Sequence, residues 1–252
     1  MSRPHAMPAR GFSALEVLVS LAIIGVLLSL LLPALTYARH SSRVTVCASN
    51  LRQLGQAFHA YLHDHRRFPK PQGEVQWTYG GVVFVGLERR PVLTSERPLN
   101  EYLVDRLPML DGPTARLFHC PGDAGVWRRD DAGAGVNILG DGRRCFDAFG
   151  TSYRANPYLM DASKAGIDHA SRPLAEHEVT VEPSRLLILG DPAWYFASRG
   201  ENDPERTLEA RWHAKAASGN MHAMDGSVRF VEFGPEPHPR FTLFPRIAAN
   251  PN

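Results

Sequence analysis

The chain has 252 residues, with 28 Lys and Arg against 26 Asp and Glu and a formal net charge of +2. The two excess basic residues, Arg3 and Arg10, lie in the first 11 positions, where there is no acid, so residues 12–252 carry no net charge. Nothing in that balance suggests a polyanion partner, and no nucleic acid partner is expected. No internal repeat or low-complexity tract occurs, and the roughly 180 residues after position 70 suffice for one domain with its own core.

Residues 11–35 read GFSALEVLVSLAIIGVLLSLLLPAL, an apolar run that carries a single carboxylate, Glu16. A helix of about 20 apolar residues rises about 30 Å, the thickness of the hydrocarbon layer, so this run is expected to span a membrane. An ordinary secretory signal has an apolar core of about 7 to 15 residues and then a small-residue cleavage site. Here the run is longer and ends in Pro33-Ala34-Leu35-Thr36-Tyr37, which disfavours that reading. A plain signal anchor is the stronger alternative, but it has no use for Glu16. An ionised side chain in lipid costs at least about 2.5 kcal/mol, so Glu16 calls for neutralisation, an interfacial position or a cation. No Lys, Arg or His occurs from Phe12 to Ala38, so a cation must come from outside this helix. A free amino group on Phe12 of a neighbouring copy would serve, if the chain were cut after Gly11. The basic residues ahead of the run favour a cytoplasmic amino terminus, an asymmetry that Arg39 and Arg43 weaken.

After Pro33, where a bend is expected, the pattern becomes amphipathic. Val44, Cys47, Leu51, Leu54, Phe58 and Tyr61 follow one another at spacings of 3, 4, 3, 4 and 3, a narrow stripe for packing on a globular head. The helix is expected to run to about Asp64 and to stop before Pro69 and Pro71. Beyond it, 75–79 and 82–85 read as short strands around Gly80-Gly81, and 116–120 as a strand stopped by Pro121-Gly122. The glycine-rich stretch 121–150 reads as a long surface loop. Residues 152–158 alternate as a strand, and 185–190 form a short apolar run of the buried kind. Asn220 to Met224 and Ser227 to Phe233 flank Asp225-Gly226, a hairpin with the turn pair that supplies positive φ angles. The last segment, 234–252, with five prolines, is expected to wrap the surface as coil.

Gly11-Phe12-Ser13-Ala14-Leu15-Glu16, with its basic leader and long apolar helix, resembles the signal of type IV prepilins and type II secretion pseudopilins. That resemblance implies cleavage after Gly11 by a prepilin peptidase, N-methylation of Phe12, and use of Glu16 in assembly, with Pro33 at the family's helix-bending position. Ser13 and Ala14 are smaller than the usual residues there. Residues 47–57, Cys120-Pro121-Gly122-Asp123, Ser152-Tyr153 with Asn156, and Leu187 to Asp191 are similar to landmarks of large pseudopilin-like proteins of Planctomycetes and Verrucomicrobia (DUF1559-like). In that family a His is followed nine residues later by Asp-Gly. Here His213 precedes Asp225-Gly226 with eleven residues between, and His222 with two.

The implied fold is α+β and pilin-like, a long helix packed on a carboxyl-terminal antiparallel sheet with long loops. Its divisions are a leader 1–11, a membrane helix 12–35, an amphipathic continuation 36–65 and a head 66–252. The implied role is a structural subunit, held in the inner membrane with its head in the periplasm, that assembles into a short filament. Its partners would be prepilin peptidase, other pilins or pseudopilins, the assembly platform, further copies through their helices, and the lipid bilayer. A membrane-anchored envelope-binding protein is the alternative, using Trp77, Tyr79, Trp127, Trp194 and Tyr195; an anchored hydrolase is disfavoured. Asp123, Asp191, His213, His222 and Asp225 are the residues to consider for a metal or acid/base cluster. No zinc-type local spacing occurs, so a structural role and no cofactor are expected. A calcium site using Asp123, Asp191 or Asp225 is the alternative. Three cysteines leave one over in an oxidising compartment: Cys120 pairs with Cys145, or with Cys47, or all three are buried thiols.

Overall fold

The structure, a computed structural model, describes residues 14–70, 77–82, 84–85, 91–92, 96–103, 113–129, 135–137, 143–194, 208–213, 218–233 and 240–246. Gly11 and Phe12 lie outside them. Helix α1 runs over Ala14–His65 with Pro33 inside it. The chain divides into two compact units, residues 1–42 and 43–252.

In the first unit the large apolar side chains from Leu15 to Leu35 are exposed on every side of the helix, not along one stripe. An 18-residue window here reaches a mean hydropathy of 2.7 with none of it buried. The segment is long and apolar enough to cross a membrane, which fits single-pass anchoring. Its hydroxyls do not interrupt that surface: Ser20, Ser29 and Thr36 donate back to the carbonyls of Glu16, Val26 and Leu32 at 2.7, 2.7 and 3.0 Å. Donors satisfied within their own helix need no water.

In the second unit the predicted stripe is the buried face of α1. Cys47, Leu51, Leu54, Phe58 and Leu62 are all but inaccessible, and Val44 and Tyr61, at the two ends of the pattern, are half-buried. Arg66, at φ 56°, closes the helix, its amide donating to Leu62 O at 2.8 Å. The chain is then pinned by Phe68 N to Leu174 O at 2.9 Å.

Strands β1 (Phe84–Val85) and β2 (Pro91–Val92) pair with each other. Helix α2 (Pro113–Leu117) leads to β3 (Asp123–Arg129) and β4 (Gly135–Asn137), then helix α3 (Cys145–Phe149), β5 (Arg154–Ala155), helix α4 (Pro157–Met160), β6 (Leu187–Gly190), β7 (Leu208–Trp212), β8 (Ser218–Ala223) and β9 (Val228–Glu232). Strands β4, β3 and β7 form one antiparallel sheet, and β5, β6, β8 and β9 another, in those orders. The fold is α+β.

Strand β8 is buried along its whole length. Asn220 reaches α1, donating from Nδ2 to Val44 O at 3.2 Å, and the His222 imidazole lies against Gly55. Met221 and Ala223 enter a separate apolar cluster with Leu187, Trp194, Phe241 and Leu243. The terminal segment is therefore more than a surface coil: Phe241 and Leu243 are core residues, and Thr242 bridges to Leu186.

Several expectations are corrected. Of the expected strand 75–79, residues 77–79 form a turn and bend with buried side chains, and 75–76 lie outside the described residues. The run 116–120 ends helix α2 instead of forming a strand, because the amides of Phe118 and His119 close turns onto Ala115 O and Arg116 O. The glycine-rich stretch 121–150 holds β3, β4 and α3, and Cys145 within it is fully buried. Only Arg154–Ala155 of the predicted strand 152–158 is extended, since Pro157 starts a helix that Asn156 caps through Tyr158 N. The hairpin is where its residues placed it, but only Gly226 of its turn has positive φ, at 87°.

Trp77 stacks on Phe149 at 4.3 Å, and the fully buried Arg97 ties this region together. Its guanidinium donates to Trp77 O, Gly80 O and Phe149 O at 3.3, 2.6 and 3.1 Å, and burial lowers its pKa to about 10. A lysine carries its three donors on one nitrogen and so cannot stand at both the Nη1 and Nη2 positions from which Arg97 donates. Arg97→Lys is expected to cost about 2 kcal/mol or more by leaving buried carbonyls unpaired, read as a lower midpoint in chemical denaturation; an unchanged midpoint would show that the fan of bonds is not limiting.

Candidate functional site

The most concentrated chemistry in the head lies where α1, the turn before β3, the end of β6 and the segments flanking 214–217 meet. Cys47 of α1 forms a disulfide with Cys120. Of the two pairings open to the sequence, the structure contains this one, and Cys145 is a free, buried thiol. The Cys120–Cys145 alternative is corrected for a physical reason: Cys47 is on the buried face of α1, where the chain at 120 passes. Burial pushes the Cys145 thiol well up, away from reactivity.

Beside the bridge, Nε2 of His213 lies 3.5 Å from Cys120 Sγ and 3.3 Å from Asp191 Oδ2. Asp191 follows β6 and is completely buried; His213 follows β7 and is 3% exposed. The Asn220 amide donates to Asp191 Oδ2 at 2.7 Å, and Asp191 N donates to Asn220 O at 2.9 Å, so the carboxylate is fixed to β8. Its other oxygen, Oδ1, has no hydrogen-bond partner among the described residues. Cys47, Cys120, Asp191 and His213 each offer a ligand atom, and these atoms lie within 4.8 Å of one another.

The other candidates are elsewhere. Asp123 is buried and accepts from Gly125 N, Cys145 N, Phe146 N and Ser152 Oγ at 2.6–3.0 Å. Burial raises its pKa, and these donors oppose the shift. It organises the start of β3 and of α3, a structural task. Asp225 accepts from Ser227 N and Oγ in the hairpin turn at 2.9 and 2.6 Å, the turn chemistry its sequence suggests. Among the described residues Asp123, Asp191 and Asp225 do not come together in one group of three potential ligands. His213 and the Asp225-Gly226 turn likewise have separate surroundings, the histidine with the disulfide and the turn at the tip of β8 and β9. Trp77, Tyr79 and Trp194 are core residues at 3%, 0% and 1% exposure; Tyr195 and the Trp127 side chain lie outside the description. Cys47 and Cys120 are legible in the sequence as a candidate bridge and Asp191 and His213 as cluster candidates, but no spacing joins the four.

His222, on β8, is the other buried histidine among the described residues. A Cβ on Gly55 would overlap its ring, so the glycine is what lets helix and strand approach. Burial, then the nearby His59, depress the His222 pKa to about 4, with the His59 ring 5.7 Å away.

Residues 36–173, more than half of the chain, match the model of a family described as a protein of unknown function, DUF1559. No curated protein and no solved structure matches.

A histidine held neutral by burial favours folding only while it is neutral in both states. The His222 contribution is therefore complete above pH 6.5 and is lost as pH falls from there to about 4, amounting to roughly 3 kcal/mol. Denaturation of the detergent-solubilised chain across this window is expected to show stability falling with pH, and His222→Asn to flatten the fall. An equal slope in both proteins would assign the acid sensitivity to other groups.

Proposed function

The chain belongs to the DUF1559 family, and from this membership and its amino-terminal anchor we propose that it is a prepilin-like structural subunit. In this reading it is cut after Gly11, N-methylated at Phe12, held in the cytoplasmic membrane with its head outside, and drawn into a short filament of a type II secretion or type IV pilus kind. The observation that carries the reading is Glu16. The single acidic residue of the apolar run stands in the first turn of α1, in a sequence with no Lys, Arg or His from Phe12 to Ala38, and an acid at that depth of a membrane helix is costly to a simple anchor. To a filament subunit it is a means of choosing register, because it pairs with the amino group of an adjacent copy.

Two further observations support the proposal. The uncovered apolar side chains of residues 15–35 suit first lipid and then neighbouring helices. The Cys47–Cys120 disulfide suits a head exported to an oxidising compartment. Burial of Trp77, Tyr79 and Trp194 removes three of the five aromatics that an envelope-binding head would have used.

The first test is the amino terminus of the membrane-extracted protein, read by peptide mass spectrometry in cells with and without prepilin peptidase. A chain that begins at N-methylated Phe12 only when the peptidase is present is the expected result; a chain beginning at Met1 in both would reduce this to a plain anchor. With processing established, Glu16→Ala is expected to leave cleavage and insertion intact and to lower filament incorporation about tenfold or more. Normal incorporation would refute the pairing.

A further inference from the structure

We propose that Cys47, Cys120, Asp191 and His213 bind one divalent transition-metal ion of the zinc class when the two cysteines are reduced, and that the Cys47–Cys120 disulfide is the oxidised, metal-free form of the same site. Two thiolates, an imidazole and a carboxylate form a borderline-soft, four-donor set, the chemistry of zinc, cobalt(II) or iron(II) and not of calcium.

The geometry supports this. A tetrahedron with Zn–S of about 2.3 Å and Zn–N and Zn–O of about 2.0–2.1 Å has sulfur–nitrogen edges of about 3.6 Å and nitrogen–oxygen edges of about 3.4 Å. The structure holds Cys120 Sγ and His213 Nε2 at 3.5 Å, and His213 Nε2 and Asp191 Oδ2 at 3.3 Å. Two edges are thus already set, and binding requires the sulfurs to separate to about 3.8 Å. All four residues are buried, so the pocket excludes competing water.

The surroundings are built for these side chains. A Cβ at Gly122 would come within 2.5 Å of His213 Nδ1, and one at Gly219 within 2.6 Å of Asp191 Cβ, so both ligands occupy space that only glycine leaves. His213 is held at φ 51°, a conformation uncommon for a non-glycine residue and often kept for a function. Gly122 N points to Cys120 Sγ at 3.4 Å, a donor that would favour a thiolate, and the Asn220 amide orients Asp191 as outer-sphere donors do in metal sites. The Asp191 Oδ1 atom, buried without a hydrogen-bond partner among the described residues, would gain an adjacent cation.

The exchange between the two forms balances. A dithiol reductant gives two electrons and two protons to the bridge and becomes a disulfide itself, leaving two thiols; the metal ion then displaces both thiol protons. Oxidation by a disulfide donor reverses the sequence and expels the ion.

The experiment is a cobalt(II) titration of the full-length chain in detergent, anaerobically, in its reduced and its disulfide form. The reduced chain is expected to bind one cobalt per chain with the intense visible bands of a tetrahedral ion and a thiolate-to-cobalt charge-transfer band, and the disulfide form to show neither. Asp191→Asn and His213→Gln are expected to weaken binding at least about tenfold, and Cys145→Ser to leave it unchanged. Folding of each variant is checked by circular dichroism in the disulfide form. Absence of tetrahedral bands in the reduced parent chain overturns the proposal even if a variant fails to fold. So does binding that survives both ligand substitutions or that is lost with Cys145. None of these outcomes depends on processing at Gly11, so the site and the filament reading fail separately.

Discussion

Packing of residues 43–65 of α1 against strand β8 is the constraint on which the head depends. The strand presents Asn220 and His222 to the helix, and an apolar interface tolerates such groups only when each is satisfied or fitted. Asn220 is satisfied by the Val44 carbonyl, and His222 is fitted by the missing side chain of Gly55. Because β8 is also covered on its opposite side by Phe241 and Leu243, the strand cannot move to relieve a misfit. Strands β6 and β9 are paired to it directly, and through β6 strand β5 is set.

Burial of polar groups recurs across the domain. Arg97, Asn100, Asp123, Asn156, Asp191 and His222 are buried, and several of them join segments far apart in the chain. Asn156 donates to Leu187 O and Leu243 O at 2.8 and 2.7 Å, and Asn50 reaches the α2 region and Tyr153. Short strands supply few ladder bonds, so side chains take over the connection of loops. That arrangement gives the irregular stretches definite positions at the cost of sensitivity to single polar substitutions.

What could be read from the sequence follows the same division. The helix stripe, the apolar run 185–190, of which Leu187–Gly190 is strand β6, and the Asp225-Gly226 hairpin obey local periodicity and turn chemistry, and each was legible. Residues 116–120 were not, since short turns onto Ala115 and Arg116 leave no periodicity to read, and neither were 121–150, where Asp123 gathers the amides of 145 and 146 and a glycine-rich composition says nothing of that. The buried site escaped because Cys47, Cys120, Asp191 and His213 come from four remote places, and no spacing rule joins them. Two glycines beside the ligands, Gly122 and Gly219, were the nearest signal, but a glycine's reason becomes visible only once its neighbours are known.

The position of the Cys47–Cys120 bond has a mechanical consequence. A pull on the amino-terminal segment travels along the hydrogen bonds of α1 and first meets a covalent branch point at Cys47. There the load divides, and part of it enters the head at Cys120, next to strand β3, without first peeling Leu51, Leu54 and Phe58 from their neighbours. With the bond open, the same pull would fall on the helix packing alone and could strip it turn by turn. The bridge thus decides whether the head takes up such a pull as one body or unzips from its own helix.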